Sequence, residues 1–286
     1  MVKSAGGKVG TPLRYRLVVT DIDGTLVGLH EQSVSPRTRS ALEGLSRQGV
    51  PVVLCTARPP RAIRRLYDDL CLTAPVIAYN GALVFAPLCE QVLLHHPIPK
   101  EVALQVLLTI RSVNPDLHVG LELADQWHVS NMTDSLRARI AVGWVPFPPQ
   151  VSPLADVVAA TDRGVSKLYL VAPEPERIAV TKRLSAGGLV EQVTLTSSDQ
   201  DFLEVSARGV HKGAALRALA AILGVAPAET VALGDGLNDI PLLQAAGLGI
   251  AMGGALDEVK RAAGAVTAPW DADGWALAIE RYVLAG

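Results

Sequence analysis

Two blocks of alternating apolar strands and helices, one near each end of the chain, limit the possible folds more than any other feature of the sequence. In the first block, strand-like runs at 16–20, 51–56 and 75–80 alternate with helix-like segments at 35–49 and 59–72. Strands separated by helices at this spacing are typical of a parallel sheet with right-handed crossover connections. The first block therefore predicts one half of an α/β fold.

The second block repeats this alternation towards the end of the chain. Its predicted elements are a helix at 211–224, a strand at 230–235, a short helix at 238–247, a strand at 249–252, and helices at 255–264 and 273–284. We expect the two blocks to form one Rossmann-like, doubly wound parallel sheet. Ser35 followed by Pro36 predicts a helix start in the first block, since serine is a favoured N-cap and proline a favoured first residue.

The region between the blocks, residues 84–206, has a different pattern. Its strand-like segments WHVSN, KLYLVA, QVTLTSS and FLEVS are less uniformly apolar, and prolines cluster at 145–153. This pattern predicts an α+β domain inserted into the α/β core. The Gly-rich first dozen residues are expected to be disordered.

The composition argues against several classes of protein. The chain has 286 residues, with 26 basic and 28 acidic side chains, and its net charge of −2 offers no basic excess for nucleic acid. No stretch approaches the roughly 18 consecutive apolar residues of a membrane span, and no secretory signal is visible. The three cysteines form no CxxC pair, and their odd number argues against a disulfide framework. We expect a cytoplasmic protein, whose oligomeric state the sequence does not indicate.

Polar residues are concentrated where the predicted strands end. In open α/β sheets, ligands bind outside the carboxyl ends of the strands, so these side chains are expected to meet at one edge. The residues at these ends, together with one lysine at the start of a helix, are Asp21, Asp23, Thr56, Arg58, Asn80, Gly81, Asp235, Asp239 and Lys212. Carboxylates, a hydroxyl and a lysine at one edge are the groups that divalent-metal phosphate chemistry requires.

Four of these segments form an ordered set of motifs: DIDGTL at 21–26, CTAR at 55–58, HKG at 211–213 and GDGLNDIPLL at 234–243. With these motifs the chain resembles phosphatases of the haloacid dehalogenase (HAD) superfamily. It is most similar to the Cof-type hydrolases, which carry a large cap inserted after the third core strand. The resemblance implies a catalytic core at 1–83 and 207–286, and an α+β cap at 84–206.

The resemblance also implies a role for each matching residue. Asp21 would be the nucleophile that forms an aspartyl-phosphate, and Asp23 would act as the general acid and base. Lys212 would hold both the nucleophile and the phosphate. The remaining phosphate- or substrate-binding positions would be Thr56, Ala57, Arg58, Asn80, Gly81 and Asn238. A Mg²⁺ ion would be held by Asp21, the backbone carbonyl of Asp23, Asp235 and Asp239.

Charge repulsion makes a cation necessary at such a site. Two carboxylates about 4 Å apart repel by roughly 4 kcal/mol at an effective dielectric near 20. One lysine cannot balance three or four carboxylates and an arriving phosphate dianion. A divalent cation would serve both substrate approach and transition-state charge.

These considerations predict a Mg²⁺-dependent phosphatase that hydrolyses a small phosphorylated metabolite, such as a sugar phosphate. A phosphomutase of the phosphomannomutase-like type shares the same cap position and stays as an alternative, as does an inactive module that binds a phosphorylated metabolite. The short interval between Asp21 and Thr56 leaves no room for an earlier cap, which argues against mutases resembling β-phosphoglucomutase. In GDGLND, Asp239 replaces the third glycine of a GxGxxG fingerprint, and its carboxylate would repel a dinucleotide pyrophosphate.

Several single residues have a second interpretation. Thr56 could instead cap the next helix, Arg58 could be a solvated surface charge, and Asn238 could either support the metal or cap a helix. Trp127 and His128 could contact substrate or belong to an ordinary strand. Two departures from the family pattern bear on substrate fit: Ala57 stands where glycine is usual, and Gly254 stands where asparagine is usual.

Overall fold

The computed structural model of the chain describes residues 14–28, 33–141, 147–197 and 201–285. The first dozen residues, predicted to be disordered, lie outside these ranges. The strands in chain order are β1 Leu17–Thr20, β2 Val52–Leu54, β3 Val76–Ala78, β4 Leu83–Ala86, β5 Gln91–His95, β6 His118–Leu123, β7 Gln126–Val129, β8 Gln150–Val151, β9 Lys167–Val171, β10 Val193–Thr196, β11 Phe202–Ala207, β12 Thr230–Gly234, β13 Leu248–Ala251 and β14 Ala265–Val266. The α-helices are α1 Pro36–Arg47, α2 Pro60–Asp69, α3 Lys100–Val113, α4 Asp134–Ala141, α5 Leu154–Ala160, α6 Glu174–Ala186, α7 Lys212–Ile222, α8 Ile240–Ala245, α9 Asp257–Ala262 and α10 Gly274–Ile279.

The core is a five-stranded parallel sheet in the order β14-β13-β12-β1-β2. A parallel bridge between Cys55 and Ile77 attaches β3 beside β2, and β4 and β5 follow β3 as antiparallel strands. Since β1 lies between β12 and β2, the chain leaves these three strands at adjacent points of one edge. This order places the DIDGTL, CTAR and GDGLND segments side by side.

Alternating side chains of the core strands build two apolar layers, one on each face of the sheet. On one face, Val18 and Leu233 pack with residues of α1, α2 and α10. On the other face, Val19 and Ala232 pack with residues of α7, α8 and α9. Both faces of the sheet are therefore covered by helices, and the predicted doubly wound α/β core is confirmed.

A second sheet, here called the cap sheet, has six strands in the order β10-β11-β9-β6-β7-β8. Its pairings are antiparallel except for β7 with β8. Leucines and valines of alternate positions pack against α3, α5 and α6, and close a separate apolar core. The intervening positions of the same strands include Glu122, Lys167 and Glu204, which are buried although charged. The mixed α and β elements of this region confirm the predicted α+β insertion in the α/β fold.

Local sequence signals account for most element ends. The Ser35 side chain accepts a hydrogen bond from the Thr38 amide at 3.0 Å, so the predicted N-cap of α1 is confirmed. The predicted C-terminal helix is α-helical only as far as Ile279, and residues Glu280–Leu284 form a π-helical turn. None of the helices in the described ranges has both the length and the apolar character that a membrane crossing requires.

Candidate active site

A buried lysine joins two carboxylates at the carboxyl edge of the core sheet. Lys212, the first residue of α7, donates from Nζ to Asp21 Oδ1 at 2.5 Å and to Asp239 Oδ1 at 2.6 Å. The side chains of Lys212 and Asp239 have no exposed surface, and that of Asp21 is 10% exposed. Charge-assisted contacts of this length are among the strongest hydrogen bonds in proteins. Three residues from distant parts of the sequence are thereby fixed around one point.

The second oxygen of Asp239 organises the loop that follows β12. Asp239 Oδ2 accepts hydrogen bonds from the amides of Asp235 and Gly236, at 3.0 and 2.9 Å. Asp239 therefore has two structural contacts: one of its oxygens accepts from the backbone at Asp235 and Gly236, and the other accepts from Lys212.

Asp235 is held from the opposite side by the turn of the DIDGTL segment. Thr25, which is fully buried, donates from Oγ1 to Asp235 Oδ1 at 2.7 Å. Gly24 has φ +77°, and a Cβ at this position would lie 2.3 Å from Asp235 Oδ2. Glycine is therefore required at position 24 by both its backbone conformation and the closeness of the carboxylate. This contact joins the ends of β1 and β12.

Burial and mutual repulsion change the titration of this cluster. Burial, followed by the charge of Asp239, raises the pKa of Asp21 to about 8, although Lys212 opposes the shift. Burial also raises the pKa of Asp235 to about 6. Burial by itself lowers the pKa of Lys212, but the charges of Asp21 and Asp239 outweigh it and raise that pKa overall. The lysine is therefore a permanent cation among carboxylates that are not fully compensated.

The donor set fits a divalent cation. One carboxylate oxygen from each of Asp21, Asp235 and Asp239 lies within 4.8 Å of the others. These ligands are hard oxygens, which suit Mg²⁺, Ca²⁺ or Mn²⁺ rather than soft-ligand metals. Burial, and next to it the charge of Asp239, raises the pKa of Asp21, and burial raises the pKa of Asp235, so the protein alone does not fully stabilise the ionised forms of these two carboxyls. The cluster can therefore bind a metal ion, and a cation there would favour the ionised form of Asp21.

Asp23 lies slightly apart from the cluster and pairs with the CTAR segment. Arg58 donates to both carboxylate oxygens of Asp23, from Nε to Oδ2 at 2.8 Å and from Nη2 to Oδ1. The two side chains are 22% and 32% exposed, so this ion pair is open to an incoming molecule. Thr56 accepts a hydrogen bond from the Arg58 amide at 3.2 Å and does not cap α2, whose N-cap is Pro59. The structure thus shows Arg58 as a partner of Asp23 and not as a free surface charge.

The loop after β3 has an unusual backbone and connects two predicted site residues. Tyr79, Asn80 and Gly81 have φ values of 52°, 56° and 107°, in the left-handed region that side chains other than glycine rarely adopt. Strained runs of this kind cluster at functional sites. The Asn238 side-chain amide donates to Asn80 Oδ1 at 3.0 Å, so Asn238 supports this loop from the core.

Two residues of the cap sheet join this network and were not among the predicted site residues. The Asn80 amide donates from Nδ2 to Glu204 Oε2 at 3.2 Å. Glu204 also accepts from Lys167 Nζ at 2.7 Å, and the same ammonium donates to the Ala57 carbonyl at 3.1 Å. The backbone at Ala57 is therefore held by a cap lysine. A sequence signal was available, because Lys167 and Glu204 are single charges within otherwise apolar strand segments.

A second buried ion pair fastens α2 to the cap sheet. Arg61 donates from Nη2 to Glu122 Oε1 at 2.7 Å and from Nη1 to Glu122 Oε2 at 2.8 Å. The Tyr79 hydroxyl donates to Glu122 Oε2 at 3.0 Å, and Arg61 also contacts the Asp125 carboxylate at 3.1 Å. Nothing in the local sequence around Arg61 indicates this contact, since its partner lies 61 positions away.

The comparisons with known proteins agree with this fold. Residues 18–279 match the family model of the haloacid dehalogenase-like hydrolases. The chain is 30% identical over 273 residues to a Bacillus subtilis protein named 5-amino-6-(5-phospho-D-ribitylamino)uracil phosphatase, covering 94% of this chain and 96% of that relative. A haloacid dehalogenase-like hydrolase from Bacteroides thetaiotaomicron superposes with a TM-score of 0.81 at 28% identity, covering 93% of this chain and 99% of that one. A solved sugar phosphatase, BT4131, superposes with a TM-score of 0.79 at 26% identity, covering 93% and 98%.

The chain belongs to the haloacid dehalogenase-like hydrolase family, in agreement with the resemblance carried by its four motifs.

Proposed function

We propose that this protein is a Mg²⁺-dependent phosphatase that hydrolyses a small phosphorylated metabolite through an aspartyl-phosphate. The single observation that supports this most strongly is the contact of Lys212 with Asp21 and Asp239, beside Asp235, at the carboxyl edge of the sheet. The named relatives, which include a phosphatase and a sugar phosphatase, support the same reaction class.

In this proposal Asp21 acts as the nucleophile. Lys212 engages its Oδ1, which leaves Oδ2 as the oxygen for attack on phosphorus. As the bond from Oδ2 to phosphorus forms, the bond from phosphorus to the ester oxygen breaks, and an aspartyl-phosphate results. Lys212 balances charge on the nucleophile and on the arriving phosphate during this step.

In this proposal Asp23 transfers a proton in each of the two steps. Its protonated form gives a proton to the departing alkoxide. Its carboxylate then accepts a proton from the water that attacks phosphorus and releases Asp21. Arg58 donates to both oxygens of Asp23 and therefore orients this carboxylate. A bound Mg²⁺, held by Asp21, the Asp23 carbonyl, Asp235 and Asp239, would supply positive charge against the phosphate and the carboxylates.

Hydrolysis of p-nitrophenyl phosphate by wild type and by Asp21→Asn tests the proposal. We expect release of p-nitrophenol with added MgCl₂, loss of release with EDTA, and at least about a thousandfold lower kcat for the variant, since a nucleophile is removed. Asp271→Asn is the matched control, because Asp271 is an exposed carboxylate outside the cluster. Equal rates for wild type and Asp21→Asn would remove the proposed nucleophile.

A further inference from the structure

A cavity of about 290 Å³ lies between the cap sheet and the first turn of α2, and its walls include Arg61, His118, Glu122, Trp127, Tyr169 and Phe202. We infer that this cavity binds the leaving group of the substrate, and that the leaving group carries a flat aromatic or heteroaromatic ring. The inference rests on the proposed phosphatase function and names the substrate class of that site.

The cavity walls are built from aromatic side chains of the cap sheet. Tyr169 and Phe202 stack with ring centroids 5.7 Å apart and an angle of 27° between their planes. The Arg61 guanidinium lies 5.2 Å from the centre of the Trp127 ring. Aromatic walls favour a flat ring in the cavity, because stacked and edge-to-face pairs gain energy beyond simple area burial.

Glycine at position 120 makes this wall possible. Gly120 on β6 is the register partner of Tyr169 on β9. A Cβ at position 120 would lie 1.9 Å from the Tyr169 ring, so the ring occupies the space that any other side chain would fill. The smallest residue on one strand thus permits an aromatic surface on the next.

Four polar side chains of the cavity walls pair with one another, Arg61 with Glu122 and Trp127 with Tyr169. Both oxygens of Glu122 accept from Arg61, and one also accepts from Tyr79. The Trp127 indole donates to the Tyr169 hydroxyl at 2.8 Å. A sugar needs several hydrogen-bond partners for its hydroxyls, and burying them without partners is unfavourable. A ring with an apolar face needs few, and so fits these walls better.

The size of the cavity suits the same kind of group. An engineered apolar cavity of about 150 Å³ holds benzene. At about 290 Å³, this cavity has room for one substituted six-membered ring or two fused rings.

The cavity adjoins the segment that contacts the proposed general acid. Arg58 donates to the carboxylate of Asp23, and Pro59, the next residue in the chain, lines the cavity. One small molecule with its phosphate at Asp21 and its ring in the cavity would therefore pass along this segment.

Initial rates with five phosphate compounds test the inference. Benzyl phosphate and pyridoxine 5′-phosphate carry a ring, glucose 6-phosphate and glycerol 3-phosphate carry hydroxyls, and acetyl phosphate has neither. We expect kcat/KM for the two ring compounds to exceed that for the two hydroxyl compounds by at least about tenfold. Higher kcat/KM for glucose 6-phosphate than for both ring compounds would overturn the inference and leave the phosphatase proposal intact.

Cavity variants make the test specific. Trp127→Ala and Phe202→Leu are expected to lower the ratio of kcat/KM for benzyl phosphate to that for acetyl phosphate by about tenfold. Leu108→Ala, an exposed position on α3, is the matched control and should keep the wild-type ratio. A ratio unchanged in both cavity variants would also overturn the inference.

A binding measurement separates failure of the inference from failure of the proposed function. If the wild type hydrolyses none of the five compounds, the phosphatase proposal fails. Calorimetry with pyridoxine and with glucose then decides the cavity by itself. Binding of pyridoxine that is weakened by Phe202→Leu supports the ring site, whereas binding of glucose alone, or of neither compound, overturns it.

Discussion

The buried charges at the edge of the core differ from those beneath the cap sheet in the ratio of cations to carboxylates. In the core cluster, one lysine, Lys212, faces the carboxylates of Asp21 and Asp239, with Asp235 close by. Beneath the cap sheet, Lys167 pairs with the buried carboxylate of Glu204, and Arg61 pairs with that of Glu122. The second carboxylate that contacts Arg61, Asp125, is 36% exposed and is therefore partly solvated.

This difference indicates different roles for two sets of charges that are similarly buried. Excess negative charge makes the core cluster ready to accept a cation, and that cation would offset the charge of an arriving phosphate. The balanced pairs need no further ion, and they fix the loops at Ala57 and Asn80 against the cap. The core cluster is therefore suited to chemistry, and the cap pairs to positioning.

Removing Lys212 should have the largest effect. Lys212→Met leaves the buried carboxylates of Asp21 and Asp239 without their cation, and we expect a loss of about 3–5 kcal/mol in the free energy of unfolding. Because the cluster can bind a cation, MgCl₂ should restore part of this loss. Urea unfolding in EDTA and in MgCl₂ measures both effects. Full stability of the variant in EDTA would contradict the described charge imbalance.

Removing Lys167 should destabilise the protein in a way that added Mg²⁺ does not reverse. Lys167→Met leaves the buried carboxylate of Glu204 without its cation, and we expect a loss of about 3 kcal/mol in the free energy of unfolding that MgCl₂ does not restore. The double variant Lys167→Met/Glu204→Gln should recover most of that loss, since no buried charge is left. Urea unfolding of Lys167→Met, Glu204→Gln and the double variant gives the coupling energy between the two side chains. Recovery of Lys167→Met by MgCl₂ alone would mean that the cap pairs behave like the core cluster.

The pH dependence of stability should distinguish Asp21 from an ordinary carboxylate. Since burial and Asp239 raise the pKa of Asp21 from 3.8 to about 8, the folded metal-free protein keeps a proton that the unfolded chain releases. The free energy of unfolding of the wild type should therefore fall as the pH rises between about 4 and 8.

Asp21→Asn has no such proton, so its unfolding free energy should fall less over the same pH range. Urea midpoints at pH 5 and pH 8 in EDTA give the two slopes. Identical slopes for wild type and variant would show that Asp21 titrates normally in the folded protein.

An exposed ion pair should have the smallest effect and serves as a reference. Arg64 donates to Asp68 at 2.9 Å on the surface of α2, one turn further along the helix. Such pairs are screened by solvent and contribute little. Arg64→Ala should leave the urea midpoint unchanged within measurement error, both with and without MgCl₂. A midpoint shift as large as that of Lys167→Met would show that burial does not govern these ion pairs.

The elements of the core and the residues at its strand ends could be predicted from local pattern. Alternating apolar runs and helix caps such as Ser35 depend on neighbours in the chain, and parallel topology then places strand ends together. This is why Asp21, Asp235 and Lys212 could be grouped before the structure was known. The hydrogen bond from Asn238 to Asn80 could not be predicted, because the two residues lie 158 positions apart.

The sequence by itself determined the α/β core, the family, and the set of carboxylates at one edge, since each follows from periodicity or from a motif of contiguous residues. Only the tertiary structure decided that Arg58 meets Asp23, that Lys167 holds the Ala57 carbonyl, and that aromatic rings line a cavity near α2. The physical reason is the sequence separation of the partners, since the Arg58 and Lys167 contacts join residues 35 and 110 positions apart. The Arg58 contact depends on how the core strands are ordered, and the Lys167 contact depends on how the cap packs on the core, and no local pattern encodes either.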